Sequence, residues 1–275
     1  MPSDPPIAGP LRSMDARLEV ALAAVRLASV ETLRRFNDPT LSVHEKADRS
    51  PVTEADIAAE TILRDTLLAA FPDDAFLGEE SGTVAGTSGY EWIVDPIDGT
   101  KSFIRGVPLW ATLVGCRSAG RGILGVIAIP ALDETVYAAA GRGAWHVCRG
   151  GPALPARVSQ RPTLGASLCC TSDVTSFTKR PDAAAGATAR ARLEAESGIL
   201  RTWGDGYGYL LVATGRADVM IDPLMNAWDA AAVETVITEA GGRFTDWQGR
   251  PRIDSGDGLA TNCLVHDAAL GLLRV

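Results

Sequence analysis

A buried strand that leads into two aspartates and then into a helix start is the strongest constraint in this 275-residue sequence. The run is Trp-Ile-Val-Asp-Pro-Ile-Asp-Gly-Thr-Lys-Ser-Phe, at residues 92–103. Its apolar residues predict the end of a buried strand, and Gly-Thr-Lys-Ser suits a helix start. Carboxylates bind hard cations such as Mg²⁺, and the free N–H groups of a helix start bind anions. The run therefore predicts metal-assisted attack on a phosphate ester.

The composition argues against several classes of partner and site. Hydrophobic residues make up 46% of the chain and charged residues 22%, as in an ordinary globular protein. The net charge of −8 argues against nucleic acid or an anionic membrane as a main partner. No stretch approaches the roughly 20 apolar residues of a membrane span. Five cysteines, an odd number without CxxC spacing, predict reduced thiols in a cytoplasmic chain.

The hydrophobic pattern predicts a leader followed by an α+β lobe. Residues 1–13 are expected to be a disordered leader, because four prolines stand in the first ten positions without a signal-peptide run, and Met14 is an alternative start. Residues 14–150 are expected to form the α+β lobe, with helices over residues 14–36 and 54–70. Four strands then follow in an antiparallel meander. They cover residues 92–95, 109–116, 123–129 and 135–140.

A second lobe of α/β type is predicted over residues 151–275. The Gly-Gly-Pro-Ala-Leu-Pro run at residues 150–155 marks the boundary. After it, strands and helices alternate. The predicted strands cover residues 167–171, 200–203, 218–222 and 243–245, and the predicted helices cover residues 207–214 and 227–240. For the Ala-rich segment at residues 182–197, a helix is favoured over a mobile insertion.

Other acids suit a metal site, but each also has a structural explanation. Glu79 and Glu80 follow a short predicted strand, and such a pair is typical of a solvated loop. Asp56 and Asp229 each lie three residues after a Thr or an Asn. That spacing is close to a capping box, so each acid could serve only to cap its helix.

The combination of acids favours the metal site over these separate explanations. Asp-Pro and Asp-Gly are common turn formers, so Asp95 and Asp98 could be structural. A turn alone, however, does not require both acids beside a helix start. Two cations in a hydrolase site lie about 3.5–4 Å apart and need several shared carboxylates. Glu79, Asp95, Asp98 and Asp229 would supply four, provided that these distant segments meet in space.

These motifs together resemble the inositol monophosphatase family of Mg²⁺-dependent, lithium-sensitive phosphatases. The resemblance rests on Gly-Glu-Glu-Ser at residues 78–81 and on Trp-Ile-Val-Asp-Pro-Ile-Asp-Gly-Thr at residues 92–100. It also rests on Trp-Asp-Ala-Ala-Ala at residues 228–232, followed by Glu-Ala-Gly-Gly at residues 239–242. It extends from about Met14 to the C-terminus. It implies a layered αβαβα sandwich in two lobes, and a homodimer.

The resemblance implies two to three Mg²⁺ ions as the cofactor. By analogy with the family, one ion would be held by Glu79, Asp95 and the backbone carbonyl of Ile97. A second ion would be held by Asp95, Asp98 and Asp229. A third, weaker ion would lie near Glu79. All of the ligands that the family pattern requires are therefore present in this sequence.

The resemblance also implies how the water and the phosphate are held. A metal-bound water would be the nucleophile, positioned by Glu79 and Thr100. Asp56 would be oriented toward Thr100. The backbone N–H groups of Gly99 and Thr100 would hold the phosphate. Glu79, Thr100 and Asp56 are therefore the candidate catalytic residues.

Within the family, two segments resemble the histidinol-phosphate phosphatases of histidine biosynthesis. One is Phe-Ile-Arg-Gly-Val-Pro-Leu-Trp-Ala-Thr at residues 103–112, where Arg105 replaces the His typical of inositol phosphatases. The other is Trp-Gly-Asp-Gly-Tyr-Gly-Tyr at residues 203–209. Asp205 and Asp222 would supply carboxylates to the ammonium and imidazole of that substrate, and Arg105 is a third candidate contact. Asp205 could also be a turn residue, and Asp222 stands where inositol enzymes use a Glu on the ring hydroxyls.

Other functions are weighed against this prediction. The small phosphorylated substrate could instead be inositol 1-phosphate or one of several sugar phosphates. A nucleotide phosphatase is disfavoured because no adenine-binding feature is clear. A regulatory module of the same fold would be favoured by a missing ligand, and no ligand is missing. The GxGxxG match at residues 120–125 precedes a strand and opens no helix, which excludes a dinucleotide site, and the acid spacing is wrong for an aspartyl-phosphate enzyme.

Overall fold

The computed structural model describes residues 9–46 and 50–274, with side chains described from Ala16 onward. Helix α1 (Gly9–Arg35) begins before the predicted start at Met14, so residues 9–13 are helical where the sequence predicted disorder. Pro10 lies in the first turn of this helix. A proline is tolerated there because the N–H group that it lacks would have no partner within the helix. The predicted disorder of residues 1–8 lies outside the described residues.

Eight α-helices and fifteen strands are found in the described part of the chain. The helices are α1, α2 (Glu54–Ala70), α3 (Thr100–Phe103), α4 (Ser176–Lys179), α5 (Ala183–Glu196), α6 (Gly206–Ala213), α7 (Ala227–Glu239) and α8 (His266–Leu273). The first ten strands are β1 (Val43–Glu45), β2 (Pro51–Thr53), β3 (Ala75–Gly78), β4 (Gly82–Val84), β5 (Tyr90–Asp98), β6 (Ala111–Ser118), β7 (Arg121–Ile129), β8 (Glu134–Ala139), β9 (Ala144–Cys148) and β10 (Leu154–Ala156). The last five are β11 (Leu168–Thr171), β12 (Ile199–Arg201), β13 (Val219–Asp222), β14 (Arg243–Thr245) and β15 (Gly258–Thr261).

Helical and sheet layers alternate through the molecule. Helices α1 and α2 pack on one face of an eight-stranded sheet, of order β10-β9-β8-β7-β6-β5-β3-β4. Helices α6 and α7 fill the space between that sheet and a five-stranded sheet of order β12-β11-β13-β15-β14. Helices α5 and α8 cover the outer face of the second sheet. This arrangement confirms the predicted αβαβα sandwich.

The predicted antiparallel meander corresponds to β5, β6, β7 and β8. The sequence prediction missed β9 and β10, which extend the same sheet. Because β10 pairs with β9, the first sheet continues past the boundary predicted at residue 150. The glycines that suggested a linker instead form a hairpin turn, in which Gly150 has a φ of 65°. Positive φ of this kind is readily adopted by glycine.

The second half of the chain follows the predicted alternation of strands and helices. The segment at residues 182–197 is helical, as α5. The last strand, β15, and the last helix, α8, were not predicted. No described helix is both long enough and apolar enough to cross a membrane.

One buried cluster joins both sheets through the central helices. Leu113 and Ile127 come from the eight-stranded sheet, Val233 and Ile237 from α7, and Met220 from the five-stranded sheet, and all five are fully buried. A second cluster lies between the eight-stranded sheet and α1 and α2. A third lies beneath α5 and α8. The two halves of the chain therefore share a core.

Candidate active site

A β-bulge turns Asp95 and Asp98 toward the same face of the first sheet. The prediction ended the strand at Asp95, but β5 continues to Asp98. Asp95 lies opposite Leu113 of β6 and Asp98 lies opposite Ala111, so β5 contains one extra residue between the two acids. In a regular strand, residues three apart point to opposite faces. The extra residue restores a common direction for the two carboxylates.

Asp95 and Asp98 form a cluster with Asp229, from the first turn of α7, in which Asp95 is buried and the other two are half-buried. One carboxylate oxygen from each residue lies within 4.8 Å of the other two. Burial, reinforced by neighbouring carboxylates, raises the pKa of Asp95 and Asp98 well above the usual range, and burial raises that of Asp229 to about 7. Within the described residues, no lysine or arginine pairs with any of the three. Converging carboxylates without a cationic partner suit a hard divalent cation such as Mg²⁺.

Asp229 and Asp56 cap their helices and also face the site. The Asn226 N–H donates to Asp229 Oδ2 at 2.7 Å, and the Thr53 N–H donates to Asp56 Oδ2 at 2.8 Å. Each contact belongs to a capping box. The other oxygen of Asp56 accepts a hydrogen bond from the Thr100 hydroxyl at 3.2 Å. Each acid can therefore cap its helix and also contribute to the site, because a carboxylate has two oxygens.

Thr100 opens the short helix α3 and has two acceptors within reach. Its hydroxyl lies 3.2 Å from Asp56 Oδ1 and 3.1 Å from the Ile97 carbonyl oxygen. Gly99 precedes it with a φ of 92°, a conformation that strains any side chain. The carbonyl of Gly99 accepts the N–H groups of Ser102 and Phe103. The first N–H groups of a helix lack intrahelical partners, which leaves this turn suited to an anion.

The Glu79 carboxylate is held by a lysine that the sequence analysis missed. Lys46 Nζ lies 2.7 Å from Glu79 Oε1 and 2.7 Å from Glu80 Oε1. Burial opposes the charge of Lys46, but hydrogen bonds to both glutamates raise its pKa above the usual range. Burial also raises the pKa of Glu80, to about 7. No local pattern marked Lys46, because it follows a short, exposed strand.

A second missed residue, Glu60, binds the backbone of the same loop. Its carboxylate accepts hydrogen bonds from the Glu80 N–H at 2.7 Å and from the Ser81 N–H at 2.6 Å. The sequence carried a signal for Glu60. It lies four residues after Asp56 and three before Leu63, on the buried face of α2. An acid on an otherwise apolar helix face needs partners within the fold.

A cleft of about 170 Å³ opens beside these groups. It is lined by Ser50, Pro51, Glu79, Gly99, Thr100, Lys101 and Asp205. Asp205 lies close to the turn at Gly99 and Thr100, since a Cβ atom placed on Gly99 would be 2.6 Å from Asp205 Oδ2. Burial, then the nearby Asp222, raises the pKa of Asp205 to about 7. The next residue, Gly206, donates its N–H to Asp98 Oδ2 at 2.5 Å, which ties this segment to the carboxylate cluster.

The other two predicted substrate contacts do not line this cleft. Asp222 is 6% exposed, and its carboxylate accepts hydrogen bonds from the hydroxyls of Tyr209 and Ser172. Arg105 is exposed beyond α3, and nothing in the described part of the chain holds its guanidinium by a hydrogen bond or an ion pair. Substrate binding by Asp222 and Arg105 stays a prediction.

The sequence profile of the inositol monophosphatase family matches residues 13–273. The chain belongs to the inositol monophosphatase family. It is 39% identical to the histidinol-phosphatase of Chlorobaculum parvum over 248 residues, which are 90% of this chain and 92% of that protein. It is 38% identical to the histidinol-phosphatase of Streptomyces coelicolor over 270 residues, 94% and 97% of the two chains.

The solved structures agree with this family assignment. The extragenic suppressor protein suhB from Bartonella henselae matches with a TM-score of 0.85 and 30% identity. The match covers 94% of this chain and 98% of that one. The resemblance and the layered fold predicted from the sequence are both confirmed. This family member is a phosphoric monoester hydrolase, and the family is generally metal-dependent, which agrees with the carboxylate cluster described above.

Proposed function

We propose that this phosphatase is a Mg²⁺-dependent histidinol-phosphate phosphatase. The observation that carries the proposal is the Asp205 carboxylate, which lines the cleft beside the turn at Gly99 and Thr100. Histidinol phosphate carries an ammonium group and an imidazole, whereas inositol phosphate offers hydroxyl groups. A carboxylate in that position favours the cationic substrate. The similarity of this chain to the histidinol-phosphatases of Chlorobaculum parvum and Streptomyces coelicolor supports the same choice.

The residues that would hold the metal meet at the end of β5 and at the start of α7. Asp95, Asp98 and Asp229 provide the converging oxygens. The Ile97 carbonyl and Glu79 are the remaining proposed ligands, for two to three ions in total. Bound Mg²⁺ would supply positive charge to the phosphate and lower the pKa of a coordinated water.

Thr100 and Asp56 would orient the attacking water. When the Thr100 hydroxyl donates to Asp56, the hydroxyl oxygen keeps lone pairs that can accept a hydrogen bond from water. The carboxylate of Glu79 lines the same cleft and is a second acceptor. The N–H groups of Gly99 and Thr100 would face the phosphate oxygens. This chain would thereby hold the water and the phosphate on adjacent sides of one turn.

The proposal is tested by comparing kcat/KM for histidinol phosphate and for inositol 1-phosphate at the same Mg²⁺ concentration. We expect kcat/KM to be at least about 100-fold higher with histidinol phosphate, which corresponds to about 2.7 kcal/mol of discrimination. A preference for inositol 1-phosphate would overturn the substrate and leave the phosphatase activity in place. Turnover that continues after chelation of Mg²⁺ would overturn the metal dependence.

Asp205→Asn tests the group that carries the substrate assignment. The substitution removes the negative charge and keeps the shape, so KM for histidinol phosphate should rise about tenfold. KM for 4-nitrophenyl phosphate, which has no ammonium group, should change less than about twofold. Equal losses on both substrates would reject the ammonium contact. Asp65→Asn, an exposed acid on α2, is the matched control and should alter neither KM.

A further inference from the structure

Glu60 binds the loop that carries Glu79 with both of its carboxylate oxygens. Glu60 is only 2% exposed and lies in the middle of α2. Its Oε2 accepts the Glu80 N–H at 2.7 Å, and its Oε1 accepts the Ser81 N–H at 2.6 Å. Hydrogen bonds to an ionised acceptor are short and stronger than neutral ones. The partners are successive backbone N–H groups, an arrangement that binds anions.

The loop bound by Glu60 is the tip of a hairpin. Strand pairing between β3 and β4 ends at Gly78 and Gly82, so the three residues between them have no ladder partners of their own. Glu79 is the first of these three. The two hydrogen bonds to Glu60 fix the backbone immediately after Glu79. They therefore limit the positions that the Glu79 carboxylate can take.

The approach of Glu60 depends on the glycine that ends β3. A Cβ atom placed on Gly78 would lie 2.5 Å from Glu60 Cδ and 2.5 Å from Glu60 Oε1. Such a contact is far inside van der Waals distance, so a side chain at Gly78 would displace the carboxylate. The hairpin and the helix are therefore fitted to each other at this point.

Helix α2 connects this loop to the other side of the site. Asp56, one turn before Glu60, accepts the hydrogen bond from Thr100. Residues four apart lie on the same face of a helix. A single rigid element thus contacts both Thr100 and the Glu79 loop, and it sets the distance between them.

We infer that Glu60 is a positioning residue that holds the Glu79 loop in its metal-binding conformation. The inference rests on the proposed function in one respect, since it takes Glu79 as a metal ligand. Glu60 acts through its two hydrogen-bond partners, the backbone N–H groups of Glu80 and Ser81. Its loss should weaken metal binding more than it slows turnover at saturating Mg²⁺.

Glu60→Gln tests the inference with little change in side-chain volume. A glutamine can accept one of the two N–H groups, and its own NH₂ then faces the other. In the metal-free protein, amide hydrogen exchange at Glu80 and Ser81 should become at least about tenfold faster. The dissociation constant for Mn²⁺, measured by electron paramagnetic resonance, and the Mg²⁺ concentration for half-maximal activity should each rise about tenfold. The kcat at saturating Mg²⁺ should stay within about threefold.

Two further variants separate positioning from a general loss of structure. Glu54→Gln makes the same change on the exposed side of α2, where Glu54 pairs with Arg35, and should alter none of these quantities. Gly78→Ala displaces the Glu60 carboxylate from the opposite side and should reproduce the weakened Mn²⁺ binding. Unchanged exchange and unchanged Mn²⁺ binding in Glu60→Gln would overturn the inference. Wild-type turnover without Mg²⁺ would overturn the proposed function instead, while the exchange measurement would still test Glu60.

Discussion

At the residue scale, the acids of the site each make more than one kind of contact. Asp229 caps α7 through the Asn226 N–H and also converges with Asp95 and Asp98. Asp56 caps α2 and also accepts the Thr100 hydroxyl. Local sequence predicts the caps, because capping depends on residues three apart. The second contact of each acid comes from a distant segment, which no local pattern describes.

Asp98→Asn should abolish most Mg²⁺-dependent turnover without unfolding the protein. The amide can still accept the Gly206 N–H, but it removes one negative charge from the carboxylate cluster. We expect kcat/KM to fall at least about 1000-fold, or about 4 kcal/mol of transition-state stabilisation. Steady-state kinetics measure the loss, and circular dichroism checks the fold. Activity near that of the wild type would contradict the assignment of Asp98 as a ligand.

At the element scale, the site depends on how α1, α2 and β5 are held together. Arg17 of α1 donates two hydrogen bonds to Asp74, at 2.8 and 3.1 Å, and its guanidinium stacks on Tyr90 at 3.7 Å. Asp74 also accepts the indole N–H of Trp92 and the hydroxyl of Ser88. This buried network joins the outer helical layer to β5, the strand that carries Asp95 and Asp98. Such a network is sensitive to the loss of any one partner.

Asp74→Asn should destabilise the protein by about 3 kcal/mol. The substitution leaves the buried guanidinium of Arg17 without its counter-charge and replaces an acceptor oxygen with a donor. The free energy of unfolding in urea measures the effect. Asp73→Asn is the matched control, because Asp73 is exposed and the contacts given by its carbonyl to Thr87 and Ser88 use backbone atoms only. A loss below about 1 kcal/mol in Asp74→Asn would contradict the structural role of the network.

At the scale of the whole molecule, the central helical layer joins the two sheets. Adjacent residues of β13 point to opposite sides: Met220 packs in the cluster shared with α7, and Val219 and Ile221 pack beneath α8. Because β13 packs against a helical layer on each side, a substitution in the last layer should change the free energy of unfolding of the entire chain. His266, fully buried at the start of α8, provides such a change.

Part of the free energy of unfolding should depend on His266 and should be lost as the pH falls. Burial lowers the pKa of His266 to about 4, from about 6.5 in an unfolded chain. Its ring nitrogens contact Thr261 at 2.9 Å and Thr245 at 3.1 Å. Between pH 6.5 and pH 4 the unfolded state binds the extra proton, so unfolding becomes more favourable as the pH falls. The wild type should lose about 3 kcal/mol from this group over that range.

His266→Gln isolates that contribution from those of other titrating groups. Glutamine can hydrogen-bond to both threonines but does not titrate, so the variant should lose about 3 kcal/mol less than the wild type between pH 6.5 and pH 4. Urea unfolding at a series of pH values measures the difference between the two proteins. Parallel curves for the wild type and the variant would show that His266 does not titrate differently on folding.

The sequence by itself determined the longer elements, the fold family and the class of reaction. The period of the apolar residues located α2, the meander and α7, because that period follows from local backbone geometry. The acids of the family motifs could be recognised in the sequence because each motif is a continuous stretch of the chain. The elements β15 and α8 escaped prediction, although β14 and α6, which are no longer, were predicted.

Only the tertiary structure decided which groups meet. The bulge that aligns Asp95 with Asp98 is a property of pairing between β5 and β6, and it cannot be read from β5 alone. Lys46 and Glu60 reach the Glu79 loop from segments remote in sequence, and their contacts depend on packing between layers. Hydrogen bonds and ion pairs act over a few ångströms in space, whatever the separation along the chain. Side chains that serve the site from a distance therefore become visible only once the chain has folded.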